Sequence, residues 1–192
     1  FVGFFSSDKA PDIAYQAWKD LPPVRRDTAD LIFIGSIQSR YSEISQSLAE
    51  TIQNDIRTHG FTGQIHFIEK TLTIEDYYQA GDCFIMPSRR EGLPNALLEA
   101  MACGLPCIVN RLPGITDHLI RHNHNGLIMD SPQSGDLTAC LIRLMENESE
   151  GIRMGRQARQ TILSGYSSDT IADRYAGLYH RLITSDPLTD TP

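Results

Sequence analysis

Glu91 and Glu99 are two carboxylates with seven residues between them, in the stretch Glu91-Gly-Leu-Pro-Asn-Ala-Leu-Leu-Glu-Ala-Met-Ala-Cys-Gly-Leu-Pro106. Pro94 suits the first turn of a helix, and Gly104 and Pro106 suit its end, which predicts a helix over 94–103. Glu99 is then the only charge on an otherwise apolar, small-residue helix, and a helix apolar all round is a buried one. A carboxylate buried there costs several kcal/mol unless something pairs with it. Asn95 lies one turn earlier on the same face. Glu99 lies about 7 Å down the axis, at ~1.5 Å per residue, and Glu91 stands at the mouth. Two carboxylates so spaced on one wall suit the grip of two hydroxylated groups of one extended ligand. The helix start adds unpaired N–H groups and the positive dipole end, which suit phosphate. Pro94 has no N–H, so Leu93 and Asn95 are the expected donors. The competing reading is structural: an ion pair of Glu99 with Lys9, Arg89 or Arg90, and a capping role for Glu91.

The elements around this stretch place it at the end of a parallel sheet. Short apolar runs at 1–5, 31–35, 64–68, 82–87, 106–110 and 126–129 alternate with helical segments at 11–20, 42–59, 73–79, 94–103 and 115–121. This is the pattern of βαβ units, and the unalternating runs fit strands covered on both faces. Thr73 is a candidate cap of its helix, and Gly60 ends the helix before it. After Asp130 the strand signals stop, and 135–146, 151–163 and 167–182 read as successive helices, with Ser167 or Ser168 as a cap. The fold class expected is α/β, a Rossmann-like doubly wound parallel sheet of about six strands with a helical C-terminal extension. In such sheets ligands bind at the carboxyl ends of the strands, where Glu91 falls. Residues 1–183 are expected to form one domain, and 184–192 a disordered tail.

Composition narrows the function. The 192 residues carry 17 basic and 24 acidic side chains, a net charge of −7, with no dense Lys/Arg run. That argues against nucleic acid as a partner. Cys83, Cys103, Cys107 and Cys140 have neither a disulfide framework nor zinc-ligand spacing. His118, His122 and His124 read as part of a polar turn before a strand rather than a metal site. No apolar run reaches the roughly 20 residues of a membrane span, and with Phe at residue 1 and no basic n-region no signal peptide is expected. The expectation is a soluble, cytoplasmic domain. A strand that opens at residue 1 without Met suggests a piece of a longer chain. The sheet lacks G-x-G-x-x-G, which removes the main support for a dinucleotide site. No G-x-S-x-G elbow supports a serine hydrolase.

The 91–106 stretch resembles the signature of retaining GT-B glycosyltransferases, family 4 in particular. The chain is similar to their C-terminal, nucleotide-sugar-binding half along nearly its whole length. Phe1-Val-Gly-Phe-Phe-Ser-Ser-Asp-Lys9 resembles the first strand and loop, Asp82-Cys-Phe-Ile-Met-Pro-Ser88 the lead into the motif, and Asn125-Gly-Leu-Ile128 a closing segment. The resemblance implies one half of a GT-B fold, with an N-terminal acceptor domain not included in these residues. It implies a nucleotide diphosphate sugar as donor. Glu91 would hold donor-sugar hydroxyls and Glu99 the ribose hydroxyls. Lys9 would neutralise the diphosphate with the backbone of Gly92, Leu93 and Asn95, and Gly3 is a further candidate for the site. The base would lie near Ile68 and Glu69. No metal is expected, because the lysine and helix end stabilise the leaving charge. Peripheral membrane attachment, where it occurs, would come through the other domain. Two positions depart from the pattern: Phe4 stands where an Arg is usual, and Ser36-Ile37 where Asp-Gly is usual. Arg89 or Arg90 are candidates to replace the lost charge. Alternatives are a nucleotide-sugar-binding module without catalysis, and a GT-B-like sugar-nucleotide epimerase.

Overall fold

A computed structural model of the chain describes residues 1–37 and 44–184. Its strands are β1 (Leu31–Ile34), β2 (Ile65–Ile68), β3 (Phe84–Met86), β4 (Cys107–Asn110) and β5 (Leu127–Met129). β1 pairs with β2, and β3, β4 and β5 pair in that order, every pairing parallel. Parallel neighbours need crossovers. These are α3 (Gln46–His59) between β1 and β2, α5 (Asn95–Cys103) between β3 and β4, and the short α6 (Thr116–Leu119) between β4 and β5. α4 (Ile74–Ala80) leads from β2 into β3, and α1 (Pro11–Lys19) and α2 (Pro23–Arg26) precede β1. After β5 come α7 (Ser134–Glu146), α8 (Glu148–Gly165) and α9 (Ser168–Thr184).

Side chains alternate across a strand, and in β3, β4 and β5 both faces are covered. Ile85, Ile108, Leu127 and Met129 join α1, α3 and α7 in one core that also holds Phe5, Phe33 and Trp18. Phe84, Met86, Cys107, Val109 and Ile128 join α4, α5 and α8 in the other. This is the doubly wound α/β architecture the run-and-helix pattern predicts.

The strand expected over 1–5 is a correction. Only Val2 pairs, in a single parallel bridge to Ile34, flanked by Gly3 N–H to the Ile34 carbonyl at 2.9 Å. Among the described residues the parallel layer therefore has five strands plus this bridge. Beyond Gly3 the chain peels away: Ser6 N–H turns back to the Phe4 carbonyl, and Phe5 becomes a fully buried core residue against Phe33 and Phe67. The segment still behaves as an extended one at its start, with Phe1 packing on one core and Val2 on the other.

Smaller differences have local causes. α6 is four residues rather than seven: the Thr116 hydroxyl accepts the Leu112 N–H and donates to the Asn110 carbonyl, spending itself on the turn. α8 begins at Glu148, earlier than expected. Thr73 precedes α4 but makes no side-chain cap. Ser167 does cap α9, accepting the Thr170 N–H at 3.2 Å. Helix 42–59 is described only from Ile44, with Ser45 as its cap, and the tail 185–192 lies outside the described residues.

Candidate functional site

Four chain segments meet at the carboxyl ends of the strands: residues 3–9, the turn at Gly35, the loop after β2, and the loop from β3 into α5. Gly35 has φ +145°, and a side chain there would put its first carbon 2.2 Å from the Gly3 carbonyl oxygen. Only glycine admits this crossing. The aliphatic stem of Lys9 runs past Gly3, its Cγ and Cδ 3.6 Å from where a Gly3 side chain would start.

Residues 7–9 and 89–91 are laced together. Arg89 N–H donates to the Asp8 carbonyl at 2.7 Å, and the Arg89 guanidinium donates to the Ser7 carbonyl at 2.6 Å. Arg90 makes two bonds to the Asp8 carboxylate, at 2.5 and 3.0 Å. Lys9 Nζ lies 2.6 Å from Glu91 Oε2, and the Glu91 side chain is only 5% exposed. Arg89 also lies 3.5 Å from Asp12. Ser7 and Asp8 were not singled out from the sequence; the signal was the opposed charge order of Asp8-Lys9 and Arg89-Arg90-Glu91.

Two adjoining clefts flank the Lys9–Glu91 pair, and Phe4 lines both. One, of about 420 Å³, is lined by Gly3, Lys9, Glu69, Lys70, Glu91, Leu93 and Asn95 among others. The second, of about 570 Å³, is lined by Ser6, Ser7, Asp8, Arg90 and Gly92 around the same pair. The structure thus brings together Gly3, Lys9, Glu69, Arg90, Glu91, Gly92, Leu93 and Asn95. Ile68 is tied up in the sheet, its carbonyl accepting the Gly35 N–H, and Arg89 lines neither cleft.

Several site expectations need correction. The two carboxylates exchange environments: Glu91 is the buried one and Glu99 is exposed. α5 buries Leu97, Ala100 and Met101 but turns Asn95 and Glu99 outward, so its small alanines disguise a two-sided helix. The ion pair considered for Glu99 does not form, since Lys9, Arg89 and Arg90 are engaged elsewhere. Glu99 instead accepts the Tyr78 hydroxyl at 3.0 Å. Burial, then the Glu99 charge, push the Tyr78 phenol well above its ordinary pKa, so it stays a donor. Glu99 lines neither cleft but sits one turn beyond Asn95 on the same face. The Asn95 N–H is not an open donor either. Pro94, at φ −80° and ψ 76°, forms an inverse γ-turn that gives the Asn95 N–H to the Leu93 carbonyl at 2.9 Å.

The other candidates singled out by residue type serve the fold. His122 Nδ1 accepts the Ile128 N–H at 2.9 Å. Burial pushes the Cys83 thiol up to about 12, and the Cys107 thiol is raised too. Among the described residues no group of three His, Cys, Asp or Glu side chains converges to hold a metal, and no helix is long and apolar enough to cross a membrane.

The family described as glycosyl transferases group 1 matches residues 1–161, and the chain belongs to it. The N,N'-diacetylbacillosaminyl-diphospho-undecaprenol alpha-1,3-N-acetylgalactosaminyltransferase of Campylobacter jejuni is 32% identical over 122 residues, 64% of this chain and 32% of its own length. An uncharacterized glycosyltransferase of Haemophilus influenzae is 26% identical over 178 residues, 92% of this chain and 47% of its own. The chain thus spans between about a third and a half of these relatives. Among solved structures, Anabaena Alr3699/HepE in complex with UDP superposes with a TM-score of 0.82 at 20% identity, covering 94% of this chain and 48% of that one. The C-terminal domain of LpcC, a glycosyl transferase group 1 family protein from Francisella tularensis, superposes at 0.73 and 20% identity, covering 87% and 86%. The fold is that of the GT-B glycosyltransferases.

Proposed function

We propose that this chain is the donor-binding half of a retaining glycosyltransferase that moves a sugar from a nucleotide diphosphate sugar to an acceptor held by a second, N-terminal domain. The observation that carries the reading is the Lys9–Glu91 pair at the strand ends, between two clefts. Lys9 keeps a 31% exposed side chain. An ammonium has three donors, so one on Glu91 leaves others for a diphosphate. As the glycosidic bond to the donor breaks, negative charge grows on the leaving diphosphate, and a fixed cation there lowers the barrier. Glu91, facing both clefts, is positioned for sugar hydroxyls. Glu99, one helical turn beyond the cleft and steadied by Tyr78, is positioned for ribose hydroxyls. Gly92 and Leu93 would complete the phosphate contacts, with the base near Glu69. A solved structure of the same fold that carries UDP supports a nucleotide as ligand. Domain 1–183 would bind donor but transfer nothing without the acceptor domain.

The test is calorimetric titration of UDP, GDP and ADP into the chain, with Lys9→Ala and Glu99→Ala alongside. One nucleotide should bind selectively, and both substitutions should weaken it. Glu99→Gln, at an exposed position and keeping an acceptor for the Tyr78 hydroxyl, still reads the site if either alanine variant is unstable. A folded chain that binds none of the three overturns the reading, and sugar transfer by this chain alone overturns the need for a second domain.

A further inference from the structure

We propose that Lys70, on the loop after β2, is the second cation that holds the donor diphosphate; the proposal rests on the donor-binding reading above. Among the described residues, the charges lining the smaller cleft are two cations, Lys9 and Lys70, against two carboxylates, Glu69 and Glu91. The cleft is therefore neutral, while a nucleoside diphosphate brings at least two negative charges. Lys9 has its charge answered by a buried carboxylate 2.6 Å away. The two arginines expected to help do not line this cleft: Arg90 pairs with Asp8 at 2.5 Å on the larger one, and Arg89, held by the Ser7 carbonyl and Asp12, lines neither. Phe4, at the junction of the clefts, brings no charge. Lys70 differs. It is exposed, lines the cleft, and makes no hydrogen bond or ion pair among the described residues.

A lysine is a compact charge on a flexible four-carbon stem, suited to follow a phosphate rather than to frame it. Entry of the diphosphate gives Lys70 a partner it lacks at rest and costs no existing ion pair. Drawing Lys9 fully onto the ligand would instead strip a buried carboxylate. Without Lys70 the lining would carry one net negative charge and repel the ligand. Lys70 would thus set donor affinity through the diphosphate and not through the base.

The experiment titrates UDP, GDP and ADP, each against its parent nucleoside, into the chain and into Lys70→Gln, Lys70→Arg and Arg174→Gln. Arg174 is exposed on α9, lines neither cleft, and controls for the change in net charge. Lys70→Gln should weaken the diphosphate about tenfold, the scale of one lost charge-assisted contact. It should leave the nucleoside unchanged and flatten the salt dependence of diphosphate binding. Lys70→Arg should recover most of the loss, and Arg174→Gln should change nothing. Unchanged diphosphate binding in Lys70→Gln overturns the proposal while leaving the donor reading intact. An equal loss for diphosphate and nucleoside moves Lys70 to the base or ribose and overturns it as well. Wild-type chain that binds no nucleotide overturns the donor reading and this one with it.

Discussion

Replacing Lys9 with Met should destabilise the fold more than replacing its partner Glu91 with Gln. The pair is unevenly buried: the Glu91 side chain is 5% exposed and that of Lys9 31%. Removing the lysine strands a carboxylate out of water, whereas removing the carboxylate's charge leaves an ammonium that can turn outward and hydrate. Breaking a fully buried pair costs about 3–5 kcal/mol; partial exposure of Lys9 reduces that to about 2–3 kcal/mol for Lys9→Met. For Glu91→Gln about 1 kcal/mol is expected, since the amide keeps a hydrogen-bonding oxygen. In a domain of this size 1 kcal/mol shifts Tm by about 2–4 °C, so Lys9→Met should melt about 4–12 °C lower. The double variant, with no stranded charge, should cost at least 1 kcal/mol less than the sum of the singles, a coupling of about the size contacting residues show. Urea unfolding followed by the fluorescence of Trp18, the single tryptophan and 3% exposed, measures all four corners of the cycle. Additive singles, or a Glu91→Gln cost above that of Lys9→Met, would refute the assignment of Glu91 as the buried partner.

Two further outcomes follow from packing and charge. Gly155 on α8 sits against the C-terminus of α5, where an added side chain would place its first carbon 2.0 Å from the Gly104 carbonyl oxygen. Backbone meets backbone, so Gly155→Ala should cost at least about 1–3 kcal/mol; Gly165→Ala on the same helix meets nothing within 4 Å and should gain about 0.5–1 kcal/mol, both read as Tm. Asp55 is held below the usual carboxylate range, first by Lys19 at 2.6 Å and then by the Tyr15 hydroxyl at 2.5 Å. A depressed folded pKa means its stabilisation is present above the unfolded value near ~3.9 and is lost as pH falls through the folded one. Glu150, bonded twice by Arg143, acts in the same direction. Through these two carboxylates melting temperature should therefore fall below about pH 4, and Asp55→Asn should melt lower at pH 7 with a shallower acid decline. An unchanged acid decline in that variant would exclude Asp55 as a contributor.

Local pattern was enough to place most elements, because a strand covered on both faces and a helix between glycine stops are dictated by side chains a few residues apart. The runs at 31–35, 64–68, 82–87, 106–110 and 126–129 all contain strands, trimmed at ends where Pro106 or Gly126 weakens pairing. The motif 91–106 was legible for the same reason, as was its place at the mouth of a helix. The opening run was not, since whether 1–5 pairs along its length depends on Gly35, which approaches from thirty residues away and admits one bridge. Nor could the pattern show which carboxylate is buried. Glu91 lies in a loop and Glu99 in an apolar helix, yet the fold turns Glu99 to solvent with Asn95 and closes residues 7–9 over Glu91. Ion pairing is decided the same way. Lys9 and Glu91 are 82 residues apart in sequence, and a contact at that separation exists only once two loops have been set side by side by the sheet beneath them. Sequence by itself determined the class of fold and the residue types at its carboxyl edge; only the tertiary structure decided which charges meet there, because partners are chosen by geometry that no local spacing contains.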